Sequence, residues 1–307
     1  MNTITWLHLS DLHYKKEDEY NRQVVLAALW EDIEKRTTRI SPDLENIDFI
    51  LFTGDVAYHG ESIEYKLAVK NFFKPLLKAA NLDSEDNSRL FIVPGNHDIK
   101  REPVTSWRRK IRELLKERDE ITDFLADSDG RKIVFGRLDD YFTLFRCRFP
   151  HLTLNDLGYF YVAEIPLISG KKVAILGLNS SWLSYGGKED RGKLTIGERQ
   201  VKEALKDAEN GSICLALVHH PFDWLQDNDD TEGVKHLLRK HCHFILHGHL
   251  HRPNVISESR LASETIIIPA GAVYDKRESP NNYNFVRLDL ETGKGIVYIG
   301  SFEVSNY

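Results

Sequence analysis

Five short apolar runs in this chain each end in polar residues that can bind a metal ion. The clearest covers residues 90–98, Leu-Phe-Ile-Val-Pro-Gly-Asn-His-Asp. Its apolar part is typical of a strand buried on both faces, and Pro94 and Gly95 turn the chain directly after it. An amide, an imidazole and a carboxylate follow at the carboxyl end of this strand, where α/β sheets hold their sites. The pattern therefore predicts a layered α/β protein with a site at its strand ends.

The same order of apolar run and polar cluster recurs four times. The other clusters are Asp11-Leu12-His13, Thr53-Gly54-Asp55, His219-His220-Pro221 and His247-Gly248-His249-Leu250-His251. Between the early runs, apolar residues spaced by four predict a helix over about residues 21–38. A second helix is predicted from Ser62, its expected N-cap, with a kink or break at Pro75. The resulting order β-α-β-α-β is typical of a parallel-type layered sheet.

The alternation stops between residues 100 and 158. Two helices are predicted there, one near Trp107 and an aromatic-rich one over residues 134–149. Residues 100–120 carry eight Lys or Arg against five Asp or Glu, which is typical of a solvated helix face. The alternative is a basic cap that receives a phosphate-bearing substrate. Strands then resume and end in a predicted hairpin, so we expect a single domain over residues 1–307 with a helical cap inserted at about 100–158.

Composition limits the classes of protein to which the chain can belong. A chain of 307 residues with a net charge of −6 can bury a substantial core, and its charge disfavours indiscriminate binding to nucleic acid or to membrane surfaces. Three scattered cysteines are too few for a disulfide framework, so we expect a reduced, cytoplasmic location. We expect no targeting segment and no membrane span.

Seven side chains at the strand ends are candidate metal ligands. They comprise two carboxylates, one amide and four imidazoles: Asp11, His13, Asp55, Asn96, His219, His249 and His251. One ion with room for substrate needs about three or four protein ligands, so seven fit two ions if Asp55 bridges them. Two ions about 3.5–4 Å apart can share an attacking hydroxide and stabilise both ends of an in-line phosphoryl displacement. The lack of thiolate favours Mn, with Fe, Zn or Co as alternatives.

Taken together, the motifs D-x-H, G-D, G-N-H-D, H and G-H-x-H resemble those of the calcineurin-like metallophosphoesterase superfamily. Within it, the chain is most similar to the bacterial branch that includes cyclic-nucleotide phosphodiesterases. The resemblance spans about residues 3–300 and is weakest over 100–158. It implies a four-layer α/β/β/α sandwich in which two mixed sheets face each other.

The resemblance also implies a role for each motif residue. One ion would be held by Asp11, His13, Asp55 and His251, and the other by Asp55, Asn96, His219 and His249. His97 would protonate the leaving oxygen or stabilise the developing charge, and Asp98 would accept a hydrogen bond from His97 and orient it. Asn96 and His97 would contact the substrate, and His59, four residues after Asp55, is a further candidate contact.

Three functions are consistent with this pattern. The first is a dinuclear-metal phosphodiesterase that acts on cyclic or other small nucleotides, with a metal-bridging hydroxide as nucleophile. The second is a Mn-dependent nuclease of the same superfamily, which the acidic net charge disfavours and the Arg108-Arg109-Lys110 cluster favours. The third is a non-catalytic scaffold with this fold, which the full ligand set and His97 argue against. Metal content separates the third from the others, and a panel of nucleotide and nucleic-acid substrates separates the first two.

Overall fold

The computed structural model describes residues 3–100, 106–155, 158–167, 170–208, 213–226, 233–251, 256–260, 263–274 and 281–302. The strands in these ranges are β1 Thr3–Leu9, β2 Phe49–Phe52, β3 Leu90–Ile92, β4 Tyr161–Pro166, β5 Lys172–Gly177, β6 Ile213–Leu217, β7 Phe244–His247, β8 Ile256–Arg260, β9 Ser263–Pro269, β10 Asn281–Asp289 and β11 Gly295–Phe302. The α-helices are α1 Glu19–Glu34, α2 Arg36–Arg39, α3 Ser62–Ala68, α4 Lys74–Ala79, α5 Ser106–Leu114, α6 Arg118–Ala126, α7 Ser128–Phe135, α8 Asp139–Arg148, α9 Glu198–Asp207 and α10 Val234–His241.

The strands form two mixed sheets. The first has the order β11-β10-β1-β2-β3, and the second has the order β4-β5-β6-β7-β9-β8. β1, β2 and β3 are parallel, as the β-α-β-α-β order predicts, while β10 and β11 are the antiparallel hairpin predicted at the end of the chain. In the second sheet β5, β6, β7 and β9 are parallel. The fold class predicted from the sequence is confirmed.

The two sheets face each other across a buried core. The ring of Trp6 on β1 meets the edge of Phe244 on β7 at 5.3 Å between centroids, and the hydroxyl of Tyr161 on β4 donates to the carbonyl of Ile92 on β3 at 3.1 Å. On the outer side of the first sheet, Asp32 of α1 accepts a hydrogen bond from the Tyr283 hydroxyl. On the outer side of the second, Thr265 of β9 donates to a carbonyl of α10. Helices therefore cover both outer faces.

The helix from Ser62 differs from the prediction in two details. Its capping residue is Glu61, which forms a capping box with Glu64, and Ser62 is the first helical residue. The helix does not break at Pro75, because a single π-helical turn over Val69–Phe73 joins α3 to α4. A wider turn before the proline accommodates its ring and its missing N–H donor.

Residues 106–148 form four short helices, α5 to α8, in the predicted insertion. Aromatic rings fix this insertion to the side of the sandwich. Tyr141 on α8 contacts Tyr65 on α3, Phe145 contacts Tyr161 on β4, and Phe124 on α6 stacks on Trp182. Across the described residues, none of the helices has both the length and the apolar character needed to cross a bilayer.

Candidate metal centre

The carboxyl end of β1 and the loop after β7 bring together Asp11, His13 and His251. His13 Nε2 lies 3.8 Å and His251 Nε2 3.3 Å from Asp11 Oδ1. The other carboxylate oxygen, Asp11 Oδ2, accepts a hydrogen bond from the backbone N–H of His249 at 3.0 Å. The ligand atoms of Asp11, His13 and His251 all lie within 4.8 Å of one another, which is close enough for one ion to contact all three.

A second group lies beside the first and consists of Asn96, His219 and His249. His219 Nε2 is 3.0 Å and His249 Nδ1 is 2.9 Å from Asn96 Oδ1, and these two nitrogens are 3.3 Å apart. The other ring nitrogen of His219 is 2.7 Å from the carbonyl oxygen of Thr53. A proton on this Nδ1, donated to Thr53, leaves the Nε2 lone pair directed at the group, as in most metal-binding histidines.

Asp55 lies between the two groups. Its Oδ2 is 3.1 Å from His13 Nε2 in the first group and 3.4 Å from His219 Nε2 in the second. Its Oδ1 accepts a hydrogen bond from the backbone N–H of His97 at 2.7 Å. One carboxylate oxygen therefore faces nitrogens of both groups, while the other is fixed by the backbone.

The donor set fits metal ions better than it fits a hydrogen-bonded core. Asp11 Oδ1 is buried without a hydrogen bond of acceptable geometry, although His251 Nε2 is only 3.3 Å away. In the second group, two imidazole nitrogens face the same amide oxygen and each other. Asp11 Oδ1 thus lacks the hydrogen-bond partner that buried polar atoms normally have, and donor atoms that converge in this way can bind a cation.

Backbone strain is concentrated at the same residues. In the described ranges, six residues other than glycine have a positive φ. Five of the six are candidate ligands, with φ between 47° and 70°: Asp11, His13, Asp55, His249 and His251. Positive φ is uncommon outside glycine, and such strain persists mainly at functional sites. The backbone therefore turns sharply at the strand ends, where these five candidate ligands lie.

Two glycines allow the loops to approach closely. A Cβ at Gly95 would lie 2.1 Å from Asp55 Oδ1, and one at Gly248 would lie 1.9 Å from Ser10 Oγ. Both distances are far below van der Waals contact, so only glycine fits. Gly248 lies in the loop after β7, at the point where this loop packs against Ser10 at the end of β1. The close approach of the two segments brings His249 and His251 to Asp11.

His97 lies at the edge of the centre, but its predicted partner is wrong. His97 Nδ1 is 3.0 Å from the carbonyl oxygen of Tyr58. Asp98 instead accepts from the backbone N–H groups of Asp55, Val56, Ala57 and Gly95 and from the Tyr65 hydroxyl. The turn after Gly95 directs the Asp98 carboxylate under the Asp55 loop and away from the imidazole, so the Tyr58 carbonyl orients His97.

His59 lies beside the centre and pairs with a carboxylate. Its Nδ1 is 2.9 Å from Glu64 Oε1, and it does not belong to the described lining of the cleft above the centre. The structure thus does not bring His59 into the cleft with the other candidates. His220, next to His219 in sequence, has its Nδ1 3.0 Å from the hydroxyl of Ser180.

Burial and charge set the protonation states in the metal-free centre. Burial and the neighbouring His219 lower the pKa of His249 to about 3, so that its imidazole is neutral and able to bind a metal. Burial alone would lower the pKa of His219, but the carboxylates of Asp55 and Asp11 raise it to about 9. Despite burial, contacts with histidines hold the pKa of Asp55 well below its usual range. Despite burial, contacts with His251 and His219 also hold the pKa of Asp11 below its usual range, so both carboxylates are ionised and available to a cation at neutral pH.

An open cleft of about 380 Å³ lies over the centre, a volume typical of small-molecule sites. Its floor contains candidate ligands and His97. Its described walls are Lys15, Tyr58, Gly187, Lys188, Trp224 and Tyr274. None of the described residues of α5 to α8 lines this cleft, so the alternative of a basic cap over the site finds no support among them. The side chains of Arg108 and Arg109 lie outside the described part of the chain.

Comparison with known proteins agrees with this geometry. A family model described as calcineurin-like phosphoesterase matches residues 4–253. The chain belongs to the calcineurin-like phosphoesterase family. Membership in this family implies a phosphoester hydrolase, and its members generally bind divalent metals.

Relatives of the chain include a protein of Bacillus subtilis (strain 168) named "uncharacterized metallophosphoesterase-like protein YydB". It is 25% identical over 302 residues, and the match covers 95% of this chain and 58% of that protein. Similar solved structures include TT1561 of Thermus thermophilus, with 16% identity, 97% and 99% coverage of the two chains and a TM-score of 0.46. Another is 5'-nucleotidase from Candida albicans SC5314, with 12% identity, 98% and 52% coverage and a TM-score of 0.46.

The walls of the cleft were not predicted from the sequence. Lys15 and Tyr58 follow the candidate ligands His13 and Asp55 by two and three residues, so the strand-end loops could have indicated them. Trp224 lies three residues after Pro221 and contacts the His249 ring at 4.0 Å between centroids. No periodicity or motif marks Lys188, because its place in the cleft depends on how a distant loop packs.

Proposed function

We propose that the chain is a dinuclear-metal-dependent phosphoesterase that hydrolyses a phosphodiester bond in a small nucleotide. The observation that carries this proposal is the position of Asp55. Its Oδ2 lies 3.1 Å from His13 Nε2 and 3.4 Å from His219 Nε2, so one carboxylate oxygen is shared by two groups of ligands. A single-metal site would not need this shared oxygen or seven converging donors.

The two groups would hold one ion each. Asp11, His13 and His251 would bind the first, Asn96, His219 and His249 would bind the second, and Asp55 would contact both. The donors are imidazole nitrogens and oxygens without thiolate, a mixture that suits Mn, Fe, Zn or Co. When bound, such ions polarise the phosphoryl oxygens and supply an ionised water as nucleophile near neutral pH.

His97 would serve the leaving group. With a proton on Nδ1 donated to the Tyr58 carbonyl, its Nε2 is the nitrogen that exchanges a proton with the leaving oxygen. His97 lines the cleft, and its ring is 4.6 Å from that of His13, so it lies next to the first group. Asp98, through its bonds to the backbone of the Asp55 loop, would keep the distance between His97 and Asp55 fixed.

Hydrolysis of bis(p-nitrophenyl) phosphate tests this function. After chelation, we expect activity to return with Mn²⁺ or another first-row divalent ion, with two ions bound per chain by elemental analysis. Asp55→Asn should lower both metal content and kcat. His97→Gln should lower kcat by about 10²–10⁴-fold with the metal content intact, as expected for loss of a general acid.

His236→Gln is the matched control, because this histidine lies on α10 outside the cleft and its loss should change neither quantity. The assay extends to cyclic nucleotides, linear dinucleotides, monoesters, RNA and single- and double-stranded DNA. Cleavage of long DNA alone would replace the small-nucleotide assignment with a nuclease. A folded protein that binds no metal and cleaves none of these substrates would contradict the proposal and favour the scaffold.

A further inference from the structure

We propose that Lys15 and Lys188 form an anion subsite in the cleft, which binds a second phosphate of the substrate beside the one that is cleaved. The preferred substrate would then be a nucleotide with two or more phosphate groups, such as a dinucleotide with a terminal phosphate, over a singly charged diester. This inference rests on the proposed function for the cleaved bond. The subsite itself can be tested by binding alone.

Lys15 is a half-buried cation on the wall of the cleft. Its Nζ lies 5.0 Å from the centroid of the Tyr58 ring, a distance at which the ring face attracts an ammonium group. In the described ranges no carboxylate lies within ion-pair distance of Lys15, whereas Lys35, for example, forms an ion pair with Glu31. Tyr58 also orients His97 through its carbonyl, which places Lys15 on the side of the leaving group.

Lys188 reaches the cleft from a glycine-rich loop. Gly186 and Gly187 have φ of 85° and 103°, a conformation that favours glycine, and they turn the chain directly before the lysine. Among the parts of the chain that are described, Lys188 likewise has no carboxylate within ion-pair distance. Lys15 follows a strand of the first sheet and Lys188 follows a strand of the second, and both line the same cleft.

A buried carboxylate fixes the Lys188 loop. Asp190 Oδ2 accepts hydrogen bonds from the Ser184 hydroxyl at 2.6 Å and from the backbone N–H groups of Tyr185 and Gly186 at 3.0 and 2.8 Å. Its Oδ1 accepts from Arg112 Nη1 on α5 at 2.5 Å. These bonds order the loop that carries the exposed Lys188, and such ordering before binding lowers the entropic cost of binding.

Charge balance favours a substrate with several phosphates. The candidate metal centre under the cleft contains two carboxylates, Asp11 and Asp55, and two divalent ions would more than neutralise them. The two lysines would increase this excess of positive charge. A diester with a single negative charge would compensate only a small part of it. A second phosphate supplies the missing charge and accepts charge-assisted hydrogen bonds from ammonium groups. The rings of Tyr58 and Trp224, both half-buried on the walls of the cleft, are aromatic surfaces on which a base can stack.

Isothermal titration with thymidine 5′-monophosphate and thymidine 3′,5′-bisphosphate tests the subsite. For the Mn²⁺-loaded protein we expect the bisphosphate to bind about tenfold more tightly, the effect of one charge-assisted contact in a solvent-accessible cleft. The ratio of the two Kd values should fall to about one in the double variant Lys15→Gln, Lys188→Gln. It should persist in Lys15→Arg, Lys188→Arg, which keeps both charges.

Lys16→Gln is the matched control, because Lys16 is exposed next to Lys15 and does not line the cleft, so its loss should leave the ratio unchanged. A ratio near one in the native protein, or a high ratio that survives in the Gln double variant, would overturn the inference. Repeating the titration in EDTA separates this inference from the proposed function, since the lysines need no metal. A high ratio in a protein without phosphoesterase activity would refute the proposed function and retain the subsite.

Discussion

At the scale of single residues, Asp98 shows how adjacency in sequence can mislead. The Gly95-Asn96-His97-Asp98 motif suggests a carboxylate that orients the neighbouring imidazole, but Asp98 is fully buried under the Asp55 loop. It accepts four backbone N–H groups and one hydroxyl. Burial and the charge of Asp55 raise the pKa of Asp98 to about 7, an effect that the backbone hydrogen bonds oppose. Its contribution is therefore to the position of Asp55.

Asp98→Asn should destabilise the protein and lower its affinity for metal. The amide NH₂ would face backbone N–H donors, so at least one buried donor loses its acceptor, at a cost of about 2–4 kcal/mol in the free energy of unfolding. Thermal unfolding and metal titration measure the two effects. Asp127→Asn is the control, because its carboxylate also accepts two backbone N–H groups, but at an exposed helix N-terminus where Asn caps about as well. Loss of kcat with unchanged stability and metal affinity would instead favour the role of orienting His97.

At the scale of elements, the strands and their carboxyl ends could be predicted because their information is local. An apolar run such as residues 49–52 predicts a strand without information from the rest of the chain. Parallel strands bring their carboxyl ends to one edge of the sheet, whatever segments connect them. The walls of the cleft could not be predicted, since Lys188 and Trp224 reach it only through packing between distant segments. The four-layer arrangement came from resemblance to a family, because periodicity alone does not show that two sheets face each other.

The link between α5 and the Lys188 loop gives a prediction at this scale. Arg112 and Asp190 form an ion pair in which the carboxylate is buried, so Arg112→Ala leaves a buried charge without its partner. We expect faster hydrogen exchange over residues 184–192 and a higher KM, with little change in kcat. Arg199→Ala is the control, since the Arg199–Glu203 pair is solvent-accessible and such pairs contribute about 0–1 kcal/mol. Unchanged exchange in this loop would show that Arg112 does not support it.

At the scale of the whole molecule, the candidate metal centre joins the two sheets. Asp11, His13, Asp55 and Asn96 follow strands of the first sheet, whereas His219, His249 and His251 follow strands of the second. Each proposed ion would therefore have ligands from both sheets. Ions that bind only the folded chain stabilise it by mass action, and here they would also cross-link the two halves of the core.

Removal of the metal should therefore lower stability, and the loss should grow with pH above about 6.5. In the metal-free protein, burial would lower the pKa of His219, but Asp55 and Asp11 raise it to about 9. A pKa raised on folding stabilises the protein fully below the unfolded value of 6.5, and this stabilisation is lost as pH rises toward 9, by up to about 1.4 kcal/mol per pH unit for one proton. The buried His8 and His247, whose pKa values burial lowers to about 3 and 4, reduce stability only below pH 6.5.

In the metal-loaded protein His219 is neutral at every pH between 6.5 and 9. Thermal unfolding in EDTA and in Mn²⁺ between pH 6.5 and 9 should give curves that diverge with pH, and parallel curves would show that His219 carries no proton in the metal-free centre.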